Sequence, residues 1–376
     1  MNSGDKSRRY GKIALLVILE LLFVGLVLHL CFRAKEPVGA EMETPDEADR
    51  RLWAVGCSRT PTNQLRHLVF PTDQALDRNE LDVFQPTASG RPESALFGSV
   101  RTARYGKGLA ASFHEGVDIA AGQRDAAGRP RDAAYAVANG TVAYVNTVVG
   151  NSNYGKYVVL THACPSGVVY TLYAHLAAIS PGVSRGRCVK AGDVLGLVGN
   201  TANPPMPLTQ AHLHFEIGLI LNARFNQWYR AQKLKNGHGV FTGWNLLGLD
   251  PLAVFERQRQ SPDFDFFQYM AALPAAFEVV LSARRKPDFF SRYPCLWEGA
   301  PYRGGALQLA VSESGLPLKG RNATEAERQR LGAHPSVVLR VDPAALGRNG
   351  CHLVISRSGQ WRLGQAGEKW REMLMY

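Results

Sequence analysis

Ala211-His212-Leu213-His214-Phe215-Glu216-Ile217 is the stretch on which the reading of this chain turns. Side chains on a β-strand alternate faces with a period of two. Read as a strand, the segment puts His212, His214 and Glu216 on one face and Leu213, Phe215 and Ile217 on the other. The apolar face can enter a core while two imidazoles project into a cleft. Neutral imidazole nitrogen is a good zinc ligand and carboxylate oxygen an acceptable one.

Working outward, two further clusters sit in strand-like apolar runs. They are Phe113-His114-Glu115-Gly116-Val117-Asp118-Ile119 and Leu172-Tyr173-Ala174-His175-Leu176. One imidazole of the H-x-H pair, with His114 and Asp118, makes a three-ligand set. Three protein ligands leave a fourth position for water, the pattern of catalytic rather than structural zinc. Each piece alone is weak: H-x-x-x-D recurs by chance, and a lone histidine such as His175 is more often packed in a core. The conjunction carries the argument. Glu115 and Glu216 are candidates to support the ligands from behind, with solvated surface groups as the blander reading. His29, His67, His162, His238, His334 and His352 carry no pattern, although His238, in Asn236-Gly237-His238-Gly239, is a candidate to approach the cleft.

The remaining chain frames these clusters. From Phe84 to about Ile220 short Val/Tyr/Ala runs alternate with Gly and Asn, which reads as antiparallel β-structure with tight turns. Residues 222–235 carry helical spacing. Beyond about 256 the runs Phe277–Leu281, Ala306–Val311, Val337–Val341 and Cys351–Ile355 read as strands and Glu368–Met375 as a helix, a smaller α+β unit. That unit is expected to position enzyme or substrate and to carry no catalytic residue, so a chain ending near 258 should keep its chemistry.

Ile13–Phe32 is apolar except for Glu20 and His29 and long enough to cross a bilayer as a helix. Lys6, Arg8, Arg9 and Lys12 precede it, which places the N-terminus in the cytoplasm and the bulk of the chain outside. A cleavable signal peptide and lipidation at Cys31 are the rival readings. Both fit poorly, because the apolar stretch is long and the residues flanking a cleavage point are not small. Residues 33–83 read as a polar stalk with docking points at Trp53 and Leu65–Phe70.

The 376 residues are 45% hydrophobic and 20% charged, a globular balance. The net charge of +11 favours polyanionic partners, yet no zinc-finger spacing, aromatic RNA-binding signature or long basic run points to nucleic acid. None of the six cysteines forms a C-x-x-C pair, which argues against a thiolate zinc site. Cys164 and Cys188, flanking the His175 run, are the expected disulfide, with Cys295 and Cys351 a second candidate pair.

The motifs together resemble the lysostaphin-type (LytM-type) zinc endopeptidases. The resemblance runs from about Phe97 to Gly218. It rests on Phe97-Gly98-Ser99-Val100-Arg101, His114-Glu115-Gly116-Val117-Asp118-Ile119-Ala120-Ala121, Tyr135-Ala136-Val137-Ala138-Asn139-Gly140-Thr141-Val142, Tyr170-Thr171-Leu172-Tyr173-Ala174-His175-Leu176, Gly199-Asn200-Thr201 and His212-Leu213-His214-Phe215-Glu216. It implies Zn2+ held by His114, Asp118 and His214, with His175 and His212 as catalytic histidines assisting a zinc-activated water. It does not say which histidine is the general base. The implied fold class is mainly β: an antiparallel sheet or sandwich peptidase domain, here with an N-terminal transmembrane helix and a small C-terminal α+β unit. The implied organisation is a cytoplasmic tail (1–12), anchor (13–32), stalk (33–83), zinc peptidase domain (84–255) and accessory unit (256–376). The implied activity is endopeptidase hydrolysis of peptide stems or cross-bridges in bacterial peptidoglycan, by an inner-membrane protein whose peptidase domain faces the extracytoplasmic side. A non-catalytic scaffold activating another wall hydrolase, or a zinc peptidase acting on an envelope protein, are the alternatives. The chain departs from the family between Thr201 and His212. There a short Gly/Ser-rich loop is replaced by a longer one stiffened by Pro204, Pro205 and Pro207, expected to govern substrate choice. The C-terminal unit resembles no wall-binding module.

Overall fold

The computed structural model describes residues 63–87, 90–105, 108–261 and 263–376, which belong to one compact unit. The candidate membrane span at 13–32 lies outside them. Among the described residues no helix is long and apolar enough to cross a membrane.

In chain order the strands of the first half are β1 (Val100–Tyr105), β2 (Gly108–Phe113), β3 (Val117–Ala120), β4 (Ala133–Tyr135), β5 (Gly140–Asn146) and β6 (Tyr157–Cys164). They continue with β7 (Gly167–Ala174), β8 (Ala178–Ile179), β9 (Cys188–Val189), β10 (Val194–Leu197), β11 (His212–Ile220) and β12 (Leu246–Leu249). A seven-stranded sheet runs β12-β11-β7-β6-β5-β9, with β3 also pairing β11, and all of these pairings are antiparallel. A three-stranded sheet β4-β10-β8 and the β1-β2 hairpin adjoin it. The expectation of a mainly β, antiparallel architecture holds.

The register of β11 decides the site. Leu213, Phe215, Ile217 and Leu219 are buried on one face, where Phe215 meets Tyr173 of β7 and Phe255. On the other face His214 stands opposite Asp118 of β3 and, across the second edge, Ala174 of β7. A slip of one residue would send the histidines into the core and the leucine and phenylalanine into the cleft. All nine residues of β11 and all eight of β6 are buried, so both faces of this sheet are covered. Such strands need no polar alternation, and Glu216 is buried with the rest.

Helix α1 (Phe225–Ala231) falls inside the stretch read as helical, and α2 (Pro251–Gln260) packs behind β11 through Phe255. The start of α2 is dictated locally. Asp250 accepts from the backbone amides of Leu252 and Ala253, and Pro251 occupies the first turn, where its missing N–H costs nothing.

Part of the expected stalk is docked. Leu65 and Leu76 are buried, the Val69 amide donates to Val137 O (2.9 Å) and the Tyr135 amide to Pro71 O (2.8 Å). Phe84 bridges Ile119 of β3.

The C-terminal strands β13 (Phe277–Ala283), β14 (Trp297–Glu298), β15 (Gly305–Val311), β16 (Pro317–Asn322) and β17 (Ser336–Val341) form a sheet of order β14-β16-β15-β13-β17. The hairpin β18 (Val354–Arg357) and β19 (Gln360–Leu363) follows. Five helices accompany them: α3 (Phe266–Ala271), α4 (Phe289–Arg292), α5 (Glu325–Leu331), α6 (Pro343–Leu346) and α7 (Gln365–Met375). One face of the sheet, with Phe277, Val279 and Leu281, belongs to the same buried cluster as Leu213 and Phe215. The other face, with Val280 and Ala306, is covered by Leu331 of α5.

The expected Cys164–Cys188 bridge is corrected. Cys188 is disulfide-bonded, whereas Cys164 is a buried free thiol. Cys188 faces Thr141 of β5, Thr141 faces Thr161 of β6, and Cys164 lies three residues beyond Thr161. Two strand spacings of about 4.8 Å and three residues of about 3.4 Å rise exceed the ~7 Å that a disulfide spans. Cys295 and Cys351 are also free thiols.

Candidate metal centre

Three donor atoms meet where β3, β11 and the turn after β2 come together. His114 Nε2 lies 3.1 Å from Asp118 Oδ1 and 3.1 Å from His214 Nδ1, and His214 Nδ1 lies 2.8 Å from Asp118 Oδ1. All three residues are buried, and their donor atoms fall within 4.8 Å of one another. Asp118 and His214 are brought together by the β3–β11 register. His114 follows β2 and is held by two backbone bonds, its amide to Ser99 O and the Gly98 amide to its own carbonyl, both 3.0 Å.

Each imidazole's remaining nitrogen has a defined partner, which fixes the tautomer. A carbonyl oxygen only accepts, so the ring nitrogen beside it carries the proton. His114 Nδ1 donates to Leu96 O (3.0 Å), leaving the Nε2 lone pair for the centre. His214 Nε2 donates to Glu216 Oε1 (2.9 Å), leaving Nδ1. The second oxygen of Asp118 accepts from Thr87 Oγ1 (3.2 Å).

His175 and His212 flank this triad, their rings 4.7 Å apart and the His175 ring 5.8 Å from that of His214. His212 Nδ1 donates to Gln210 O (2.7 Å) and His175 Nδ1 to Thr201 O (2.9 Å). Their Nε2 lone pairs remain for chemistry. His212 Nε2 is buried without a hydrogen-bond partner, although Asp118 Oδ1 is 3.3 Å away. An orphaned buried acceptor beside three converging donors is what a bound cation and its open coordination position would satisfy. Two imidazoles and one carboxylate suit Zn2+ in a three-ligand site.

Electrostatics separate the histidines. Burial, reinforced by the neighbouring His212 and His214, holds His175 well below the usual imidazole range, so it is neutral. Burial also opposes the charged form of His214, but hydrogen bonds to Asp118 and Glu216 outweigh it and push this group up to about 9, so without a cation Nδ1 carries a proton that a metal would displace. The donor set therefore attracts positive charge.

The segment preceding His212 is tied at both ends. Asn203 donates through its amide to Ser152 O (3.2 Å) and through Nδ2 to Gly150 O (2.7 Å). Arg124 donates to Leu208 O (3.1 Å) and Ala211 O (3.2 Å). Asn200 Nδ2 crosses the loop to Met206 O (2.8 Å).

All five sequence-identified residues thus converge. Of the two readings of Glu216, the structure takes the supporting one: it is fully buried rather than solvated, and Tyr154 and Tyr170, which bind it, were missed. Its place on the same face as His212 and His214 was the available signal. His238 does not join the donors: its Nδ1 lies 3.0 and 2.9 Å from the Tyr144 and Tyr157 hydroxyls and its Nε2 donates to Asn151 O. His162 is a core residue between Asn139 O and Thr171 Oγ1, and burial pushes it down to about 4.

Residues 112–226 match the model of peptidase family M23. Among solved structures, the chain is similar to a putative peptidase M23 from Pseudomonas aeruginosa, at 24% identity over 33% of this chain and 43% of that one (TM-score 0.21). It is similar to a zinc containing peptidase from Vibrio cholerae, at 25% identity over 40% of this chain and 35% of that one (TM-score 0.25). It is also similar to the catalytic domain of the antimicrobial peptidase lysostaphin from Staphylococcus simulans, at 21% identity over 43% of this chain and 89% of that one (TM-score 0.27). The chain spans less than half the length of the first two. No curated protein sequence matches it.

Proposed function

We propose that the chain, whose residues 112–226 match the model of peptidase family M23, is a zinc-dependent endopeptidase cutting peptide stems or cross-bridges of bacterial peptidoglycan. The observation that carries this reading is the convergence of His114, Asp118 and His214 with two further imidazoles whose Nε2 lone pairs face the same space. A non-catalytic centre would have no use for that second pair.

His114 Nε2, Asp118 Oδ1 and His214 Nδ1 would hold the ion. When bound, Zn2+ supplies Lewis acidity that polarises a carbonyl and makes water a nucleophile near neutral pH. The protein's own part is proton handling and shape. His212 and His175, each oriented by an Nδ1–H bond to a carbonyl, offer one acceptor for the proton of the attacking water. They also offer one position from which the leaving amine is protonated. The tied loop from Ala202 to Ala211 forms the wall along which a peptide lies. The net charge of +11 suits an anionic wall polymer. We place this domain outside the cytoplasm, carried by the apolar 13–32 segment.

The test is mass spectrometry of peptidoglycan digested by the full chain with zinc and with a chelator. Zinc-dependent release of muropeptides with a newly freed amine supports the proposal. Bound zinc without any product favours a scaffold, and cleavage of envelope proteins alone moves the substrate elsewhere.

A further inference from the structure

Glu216 is a buried carboxylate bound on every side. Its Oε1 accepts from the Tyr154 hydroxyl (2.6 Å) and from His214 Nε2 (2.9 Å), and its Oε2 accepts from the Tyr170 hydroxyl (2.9 Å). Glu216 is 0% exposed, and both tyrosines are buried. The Tyr154 ring also lies against the His214 ring, with centroids 5.7 Å apart. Gly116 closes the far side: a Cβ there would meet Phe215 O at 2.3 Å, Glu216 Cγ at 2.9 Å and His214 Cε1 at 3.1 Å.

Taking a carboxylate out of water is costly unless it is paired and hydrogen-bonded. Here the chain uses two buried tyrosines to hold one acid against one ligand. We infer that Glu216 is the positioning residue of the metal centre. It fixes His214 in the Nδ1-facing tautomer, and with Asp118 it supplies the two negative charges that offset a buried dication. Tyr154 and Tyr170 aim it. This rests on the reading of the centre as a zinc site. It assigns to Glu216 no contact with substrate or with the reacting atoms.

The test uses the full chain and measures zinc affinity by competition with a chromophoric chelator. The d–d spectrum after cobalt loading is recorded as well. Glu216→Gln keeps the volume and an acceptor for His214 Nε2–H but removes the charge. It is expected to weaken zinc binding about 10–100-fold and to shift the cobalt bands at saturating metal, a change that a merely structural role does not produce. Tyr170→Phe removes one bond to Glu216 without touching a ligand, and a loss of several-fold is expected. It remains decisive if Glu216→Gln fails to fold. Wild-type affinity and an unshifted spectrum in both variants overturn the inference while leaving the zinc reading intact. A wild type that binds no zinc overturns both.

Discussion

His175 adopts φ 62°, a left-handed conformation uncommon outside glycine, at the exit of β7. The turn aims its ring at His212 while its amide stays bound to Tyr154 O. Replacement by Ala would add backbone strain to the loss of the imidazole, so His175→Asn, which tolerates this region better, is the cleaner variant. Ligand and proton-handling residues should separate in kinetics and metal content. His114→Ala should lose zinc and turnover together. His212→Ala and His175→Asn should retain stoichiometric zinc, measured by atomic absorption, and lose roughly 10²–10⁴-fold in kcat. A His212→Ala protein that digests peptidoglycan at the parental rate would remove His212 from the mechanism. Away from the centre, burial, helped by the charge of Asp250, raises Glu313 from 4.5 to about 7. The folded state then binds a proton more tightly than the unfolded chain. This stabilising term is fully present below pH 4.5 and is lost as pH rises through 7. Thermal midpoints of Glu313→Gln should therefore exceed those of wild type increasingly from pH 5 to 8, and parallel curves would contradict the shift. A period of two sorts His212 and His214 of β11 onto a donor face, and the family resemblance supplied the roles of those two with His114, Asp118 and His175. The same alternation put Glu216 on the donor face, but its burial was not legible, because the Tyr154 and Tyr170 hydroxyls that satisfy it come from distant parts of the chain.

At the scale of elements, the loop Ala202–Ala211 is held to distant parts of the chain by side-chain hydrogen bonds. Its prolines advertised stiffness, but nothing in the local sequence announced that Arg124, some 80 residues earlier, donates to two of its carbonyls. Long-range clamps of this kind depend on tertiary approach and leave no periodic trace. Arg124→Ala should free the wall next to His212. We expect KM for a cross-bridge peptide to rise several-fold while zinc affinity stays within a factor of two, since no metal ligand contacts Arg124. Unchanged KM would show that substrate does not reach this wall. The same limit explains the cysteines: sequence spacing put Cys164 and Cys188 close, but two intervening strand gaps separate them.

At the scale of the whole molecule, the C-terminal strands looked separable in sequence because their composition changes near 256. Instead, their loops reach the turn that carries His114. Ser314 Oγ donates to Gly248 O of β12 (2.9 Å), and a Cβ on Gly248 would meet Glu115 O at 2.2 Å. A Cβ on Gly350 would meet Val100 Cγ2 at 2.8 Å and the Phe113 backbone at 3.3 Å. Gly350→Val should therefore cost about 1–3 kcal/mol through overpacking and weaken zinc binding from a site outside residues 112–226. A chain ending near 258 should lose zinc as well as stability. A soluble truncate that holds zinc as tightly as the full chain would return the C-terminal strands to an accessory role.

The buried thiol of Cys164 has one more consequence. Burial pushes it up to about 12, so at physiological pH it is almost wholly protonated and inert to alkylation. Cys295 is exposed on the same molecule. Iodoacetamide should thus label Cys295 promptly and Cys164 only on opening of the β6–β7 end of the sheet. The chain carries its own two-speed chemical probe, whose slow member reads the opening equilibrium of the sheet beneath the metal centre. Mass-resolved labelling at Cys164 as fast as at Cys295 in native protein would show that this edge breathes freely.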